Sequence, residues 1–240
     1  MVKLPSLLSQ NDKGKDRQGR PMSEWVDWNE NITSELGEDV TWISAGNSNQ
    51  DEIYAFHKRL NSMVVIAMLD LKSTSLSKRL IKRQYVQALD KAIQEYGQTD
   101  PALILNAVHV EIEIDFIAPA SKAIKPGARM GILVIDSRTR KGSFSGARID
   151  LFVENPAERK IARVAGIDSR IGDNFESIRE FTATSIDTRD KRLFMTNLDE
   201  RHRTTFIRQL ASYTSTDELK RELRRSLQRA PGNPVVLCLK

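Results

Sequence analysis

Apolar residues in this chain follow two rhythms. Between 60 and 70, "LNSMVVIAMLD", they run unbroken from Met63 to Leu69, which predicts a strand buried on both faces. Between 76 and 96 they recur as Ile81, Tyr85, Leu89, Ala92, Ile93 and Tyr96, the spacing of one helix face. Ser75 or Ser77 can cap that helix and Gly97 can end it. "VHVEIEIDFI" at 108–117 alternates, placing Val108, Val110, Ile112, Ile114 and Phe116 opposite His109, Glu111, Glu113 and Asp115. Such alternation predicts a half-buried antiparallel strand.

Shorter strands are predicted around "TWIS", at 131–136, 148–153 and 161–167, and in the terminal "PVVLCL". Short helices are predicted on "SEWVDWNENI" and "DNFESIREF", and longer ones over 201–213 and 216–229. The last carries Leu219, Leu223 and Leu227 as its apolar stripe. Residues 9–23 are polar, charged and broken by Gly and Pro, so 1–23 reads as a mobile arm and 24–240 as one domain. The expected class is α+β: an antiparallel β sandwich, jelly-roll-like, with flanking helices.

Composition narrows the partners. Hydrophobic residues make up 40% of the 240, enough for a core. Thirty-seven Lys and Arg against 32 Asp and Glu give a net charge of +5, the sign that suits a polyanion. Cys238 stands alone, which excludes an internal disulfide and a multi-cysteine zinc site. The N-terminus has no long apolar run, so no secretory signal is expected. No apolar run is long enough to cross a bilayer as a helix, so any membrane contact is expected to be peripheral.

Neither G-x-x-x-x-G-K-[ST] nor G-x-G-x-x-G occurs. His109, Glu111 and Glu113 share one side of the expected strand, as a metal row or as a solvated face. Asp70 and Asp136 each end an apolar strand. Side by side, they could hold Mg²⁺ for phosphoryl transfer or nuclease chemistry; apart, each would accept hydrogen bonds from its own turn. Basic residues cluster twice. Residues 72–91 hold six Lys or Arg, among them Lys78, Arg79, Lys82 and Arg83, and one acid, a local +5. Residues 200–229 hold eight against four; Lys220, Arg221, Arg224 and Arg225 lie off the leucine stripe. Such faces bind phosphates without reading bases, or are simply solvated.

The stretch "VHVEIEIDFIAPASKAIKPGARMGILVIDSRTRKGSF" resembles the "30K" superfamily of plant-virus movement proteins. The likeness spans about residues 105–175: an alternating strand, a loop with Gly127, then Gly131 and an apolar strand ending in Asp136, with the basic Arg138 beyond. It implies a jelly-roll-like domain that binds single-stranded nucleic acid cooperatively and without sequence preference. Arg138, Arg140 and Lys141 would face phosphate, and Asp136 would tie its turn structurally. It further implies transport of a viral genome through the host cytoplasm and plasmodesmata, peripheral membrane contact, a homo-oligomer, and no catalysis or cofactor. Two alternatives stand beside it: a viral matrix or coat-like protein, and a Mg-dependent phosphotransfer or nuclease enzyme using Asp70 and Asp136.

Overall fold

The computed structural model describes residues 26–27, 40–44, 53–71, 78–116, 127–172, 180–213 and 235–239, together with 218, 221, 222 and 225. Its strands are β1 Val26–Asp27, β2 Val40–Ser44, β3 Ile53–Leu60, β4 Met63–Leu71, β5 Ala128–Asp136, β6 Lys141–Ala147, β7 Asp150–Asn155, β8 Lys160–Val164, β9 Thr184–Asp187, β10 Arg192–Thr196 and β11 Val235–Leu239. Its helices are α1 Lys78–Asp90, α2 Pro101–Phe116 and α3 Glu200–Ser212. One sheet has the order β1-β3-β4-β5-β6-β9 and the other β2-β11-β10-β7-β8. Every strand pairing within them is antiparallel.

β4 shows how the layers form. Val65, Ala67, Leu69 and Leu71 join Ile81, Tyr85, Leu89, Leu105, Val108 and Ile112 in a core between the first sheet and α1 and α2. Val64, Ile66 and Met68 join Leu133, Phe144, Leu151, Leu193 and Met195 in a second core between the sheets. A strand that feeds two cores must be apolar at every position, which is why the run from Met63 is unbroken. A third core seats α3 on the outer face of the second sheet, where Phe206 meets the rings of Phe152 and Phe194 edge-on at 5.2 and 5.9 Å. The order of layers is helix, sheet, sheet, helix.

The α+β class and the antiparallel sheets agree with the sequence reading; the jelly-roll expectation is corrected, because each sheet is covered by helices on its outer face. The alternating segment is also corrected. Residues 108–116 belong to helix α2. Ile104, Leu105, Val108, His109, Ile112 and Glu113 are buried, a helical repeat, while Val110 and Ile114 are exposed. A period of two over a few β-branched residues hid a period of 3.6 that extends back to Pro101.

Of "SEWVDWNENI" the described residues are Val26 and Asp27, which form β1 and not the expected helix; Val26 pairs with His57. The helix expected at 76–96 is α1, continued by a π-helical turn over Lys91–Glu95 and closed by Gly97 at φ +64°. The expected arm at 1–23 and the expected helix after Asp173 lie outside the described residues, except that Glu180 and Phe181 of the latter are described and non-helical. So does most of 216–229, where Glu218, Arg221, Glu222 and Arg225 are helical. Strands β3, β6, β9 and β10 fall where the sequence pattern predicts none.

Candidate functional site

Register decides which polar residues meet. In the β4–β5 pair Asp70 stands opposite Arg129, and Met63 stands opposite Asp136. The two aspartates therefore lie at opposite ends of the pair, roughly 24 Å apart at about 3.4 Å per residue. The Asp70–Asp136 metal constellation is not assembled.

At the Asp70 end, one carboxylate meets an amide donor and a guanidinium. Asn197, just past β10, donates from Nδ2 to Asp70 Oδ2 at 3.0 Å, and Arg129 Nε lies 3.6 Å from the same oxygen. Arg129 also donates from Nη1 to the carbonyl of Asn197 at 2.8 Å. The turn from β10 into α3 is held from both sides, because Arg203 Nε donates to the carbonyl of Leu198 at 3.0 Å. Asp199 then caps α3, accepting from the N–H of His202 at 3.0 Å; that bond, first, holds its carboxyl below the usual aspartate range.

Next to this cluster Asp150, at the start of β7, is buried with its side chain 7% exposed. It accepts from Arg163 Nε at 3.2 Å and from the N–H of Gly166 at 3.0 Å, and its Oδ2 lies 3.1 Å from Arg203 Nη1. A buried carboxylate needs such partners. Arg129, Arg148, Arg163 and Arg203 share with Asp150 and Asn197 the lining of one cleft of about 350 Å³. Among the described residues no group of three His, Cys, Asp or Glu could hold a metal ion.

A second cleft of about 370 Å³ lies beside α3, lined by Glu154, Arg159, Arg192 and Tyr213 among others. There the Tyr213 hydroxyl donates to Glu154 Oε2 at 2.7 Å, and Arg192 Nη1 is hydrogen-bonded to the same hydroxyl. Burial, then the Glu154 contact, pushes the Tyr213 phenol above its ordinary range.

The sequence candidates are spread over the molecule. Asp136 Oδ1 accepts from the N–H of Arg138 at 2.9 Å and of Thr139 at 3.4 Å, chiefly the first of which holds its carboxyl below the ordinary value. Arg138, Arg140 and Lys141 are exposed on that hairpin, a β5 length from Asp70. Lys82 Nζ sits 4.5 Å from the centre of the Tyr54 ring, a cation–π contact, and Arg83 is exposed. Lys78 and Arg79 open α1, but their side chains lie outside the described residues, as do Lys220 and Arg224. Arg221 is exposed, and Arg225 donates to Glu222 at 2.7 Å.

Gly127 is buried; Gly131 packs in β5 where an added Cβ would meet Ile149 at 2.6 Å. His109 and Glu113, expected on the outer side of a strand, are buried in α2, with Glu113 Oε1 3.8 Å from His109 Nε2, and His109 Nδ1 accepts from the N–H of Gly172 at 3.0 Å. Arg129, Asn197, Asp150, Arg163 and Arg203 were not singled out in the sequence. Their one linear signal is that Arg129 is the second residue of the strand that Asp136 closes.

No family model matches the sequence, and no curated protein does. Solved structures do. The SiaA PP2C domain of Pseudomonas aeruginosa is 16% identical, with a TM-score of 0.70 over 89% of this chain and 90% of that one. RsbX in complex with magnesium is 13% identical, with a TM-score of 0.58 over 86% and 97%. The PP2C phosphatase domain of SpoIIE from Bacillus subtilis, with a fragment of its regulatory domain, is 13% identical, with a TM-score of 0.61 over 84% and 62%.

These neighbours correct the movement-protein resemblance and what hung on it: single-stranded nucleic acid as partner, plasmodesmata as location, and a protein without catalysis. Of the readings open from the sequence, the phosphotransfer alternative is the one they favour, although Asp70 and Asp136 do not meet. The fold of this chain is that of the PP2C-type serine phosphatase domains.

Proposed function

We propose that this chain works on phosphoproteins, as a phosphatase-type domain that engages the phosphorylated serine or threonine of a partner protein. The observation that carries this reading is the fold, which covers nearly nine-tenths of this chain and of a phosphatase domain alike. The cleft beside Asp70 supports it. Its arginines come from β5, β8, α3 and the β6–β7 turn, and guanidinium groups match the oxygens of a phosphomonoester in bidentate geometry.

Each of these arginines is held by an acid or a carbonyl: Arg148 by Asp168, Arg163 and Arg203 jointly by Asp150, Arg129 by Asn197 and Asp70. That fixes the guanidiniums before any ligand arrives, and a phosphoryl group then meets donors whose side-chain order is already established. The reaction class is phosphomonoester hydrolysis, in which water adds to phosphorus and the serine oxygen leaves with a proton. Recognition of the phosphoryl group is the part that the described residues carry.

The magnesium of the RsbX structure raises the question whether this site suits a divalent ion. Magnesium takes oxygen ligands in an octahedron, and two-ion phosphatase chemistry needs several carboxylates in one place. Among the described residues no three acids or histidines gather at one point, and an oxygen of Asp70 already faces an amide N–H and a guanidinium. A dication about 4 Å from that guanidinium would meet a repulsion of about 8 kcal/mol, twice that of unit charges in a medium of dielectric near 20. These residues do not fit the ion.

The test is a panel of phosphoserine and phosphothreonine peptides with unphosphorylated controls. Binding is followed by anisotropy and phosphate release by colorimetry. Preference for the phosphorylated member by about tenfold or more, with or without release, supports the reading. Equal affinity for both members and no release overturns it.

A further inference from the structure

We propose that Arg129 is the resident cation of this site, so that a phosphomonoester is held at the Asp70 end without a divalent metal. This rests on the phosphoprotein reading above, and it concerns what charge faces the phosphoryl group there.

Three observations converge. First, the guanidinium lies beside the carboxylate: Arg129 Nε is 3.6 Å from Asp70 Oδ2, and strand register places Arg129 opposite Asp70 on the neighbouring strand. Its place is therefore set by the ladder of the central sheet, not by a loop. Second, Asn197 donates an amide N–H to the same carboxylate oxygen at 3.0 Å. A metal ligand must present a lone pair, whereas an amide nitrogen presents protons, so this contact repels a cation from that oxygen. Third, Arg129 is braced in turn by the carbonyl of Asn197, so its charge is fixed in place.

A guanidinium has five N–H donors. Nη1 donates to the carbonyl of Asn197 and Nε makes only the 3.6 Å ion pair with Asp70, while the side chain is 30% exposed and lines the cleft. It can carry a phosphoryl oxygen while still neutralising Asp70, which is the electrostatic task a metal performs at such a carboxylate. A dication there would instead require Arg129 and Asn197 to leave.

The experiment has two readouts. In the first, the full chain is stripped with EDTA and titrated with Mn²⁺ and with Mg²⁺, following heat by calorimetry and the melting temperature by fluorescence. The expected result is no saturable binding and no shift in the wild type. Arg129→Gln with Asn197→Asp should gain saturable Mn²⁺ binding and a Mn²⁺-dependent rise in melting temperature. Saturable Mn²⁺ binding by the wild type that disappears in Asp70→Asn overturns the proposal. So does a folded double variant that gains none, because Arg129 and Asn197 would then not be what excludes the ion.

In the second readout, phosphopeptide affinity is measured in EDTA and in millimolar Mg²⁺. Equal affinities are expected, with Arg129→Gln weakening both by about tenfold or more, the loss of one charge-assisted contact. Binding that requires Mg²⁺ overturns the proposal and leaves the phosphoprotein reading standing. Absence of any phosphopeptide binding overturns that reading and, with it, the phosphoryl role of Arg129.

Discussion

Asp70 and Arg129 are partners across the β4–β5 ladder; one step on, Leu71 pairs with Ala128, and the 56 residues between those two in sequence include α1 and α2. The helices α1 and α2 are thus an excursion from one strand end. The carboxylate and the guanidinium flanking that excursion are fixed by main-chain pairing.

Asp150 is the anchor of the arginine cleft. Asp150→Ala should destabilise the fold by about 3 kcal/mol, the low end for breaking a buried ion pair, because Arg163 is partly solvated. Urea unfolding measures this. A loss below about 1 kcal/mol would show that Arg163 and Arg203 find other partners.

Two glycines should respond differently to alanine. At Gly146 the new Cβ would lie 2.1 Å from the carbonyl oxygen of Ile149, a main-chain clash, and a loss of about 3 kcal/mol or more is expected. At Gly97, with φ +64° and open space around it, only the left-handed backbone opposes the change, at about 1 kcal/mol. Thermal unfolding of the two variants ranks them.

The helical reading of α2 makes its own forecast. Ile112 is buried and Ile114 is exposed. Ile112→Ala should cost about 2–5 kcal/mol and Ile114→Ala within about 0.5 kcal/mol. A strand with both on one face would give equal losses.

Acid should loosen α3 through Asp199. Its carboxyl titrates below the ordinary value of 3.8, so the cap contributes fully above that value and is lost as pH falls through the lowered one. Asp199→Ala should remove about 1 kcal/mol at neutral pH and flatten stability against pH below about 4. Denaturant midpoints across that range, with and without the substitution, check it.

Much of the scaffold was legible, for reasons visible in single residues. The run Val64–Leu69 has the length and β-branched content of a strand with cores on both sides, and Ile81, Tyr85 and Leu89 have the spacing of one helix face. Residues 108–116 misled because β-branched side chains at alternate positions imitate a strand; the decisive residues were Ile104 and Leu105, upstream of the alternation. The site was half legible. Asp70 stood out at the end of its strand, but the residues that define its chemistry lie 59 positions away in Arg129 and 127 away in Asn197. Only the pairing of β5 with β4 and the meeting of the two sheets bring them together, and no local pattern encodes that.

The β5–β6 turn, Ser137–Arg140, sits at the far end of the ladder from the cleft, with Arg138 and Thr139 exposed at its tip. It is accordingly a handle. A cysteine or biotin placed at Thr139 would tether the molecule to a chip or bead with the arginine cleft turned toward the solution, so the phosphopeptide panel could be tested by mass or imaging without the anchor touching the site.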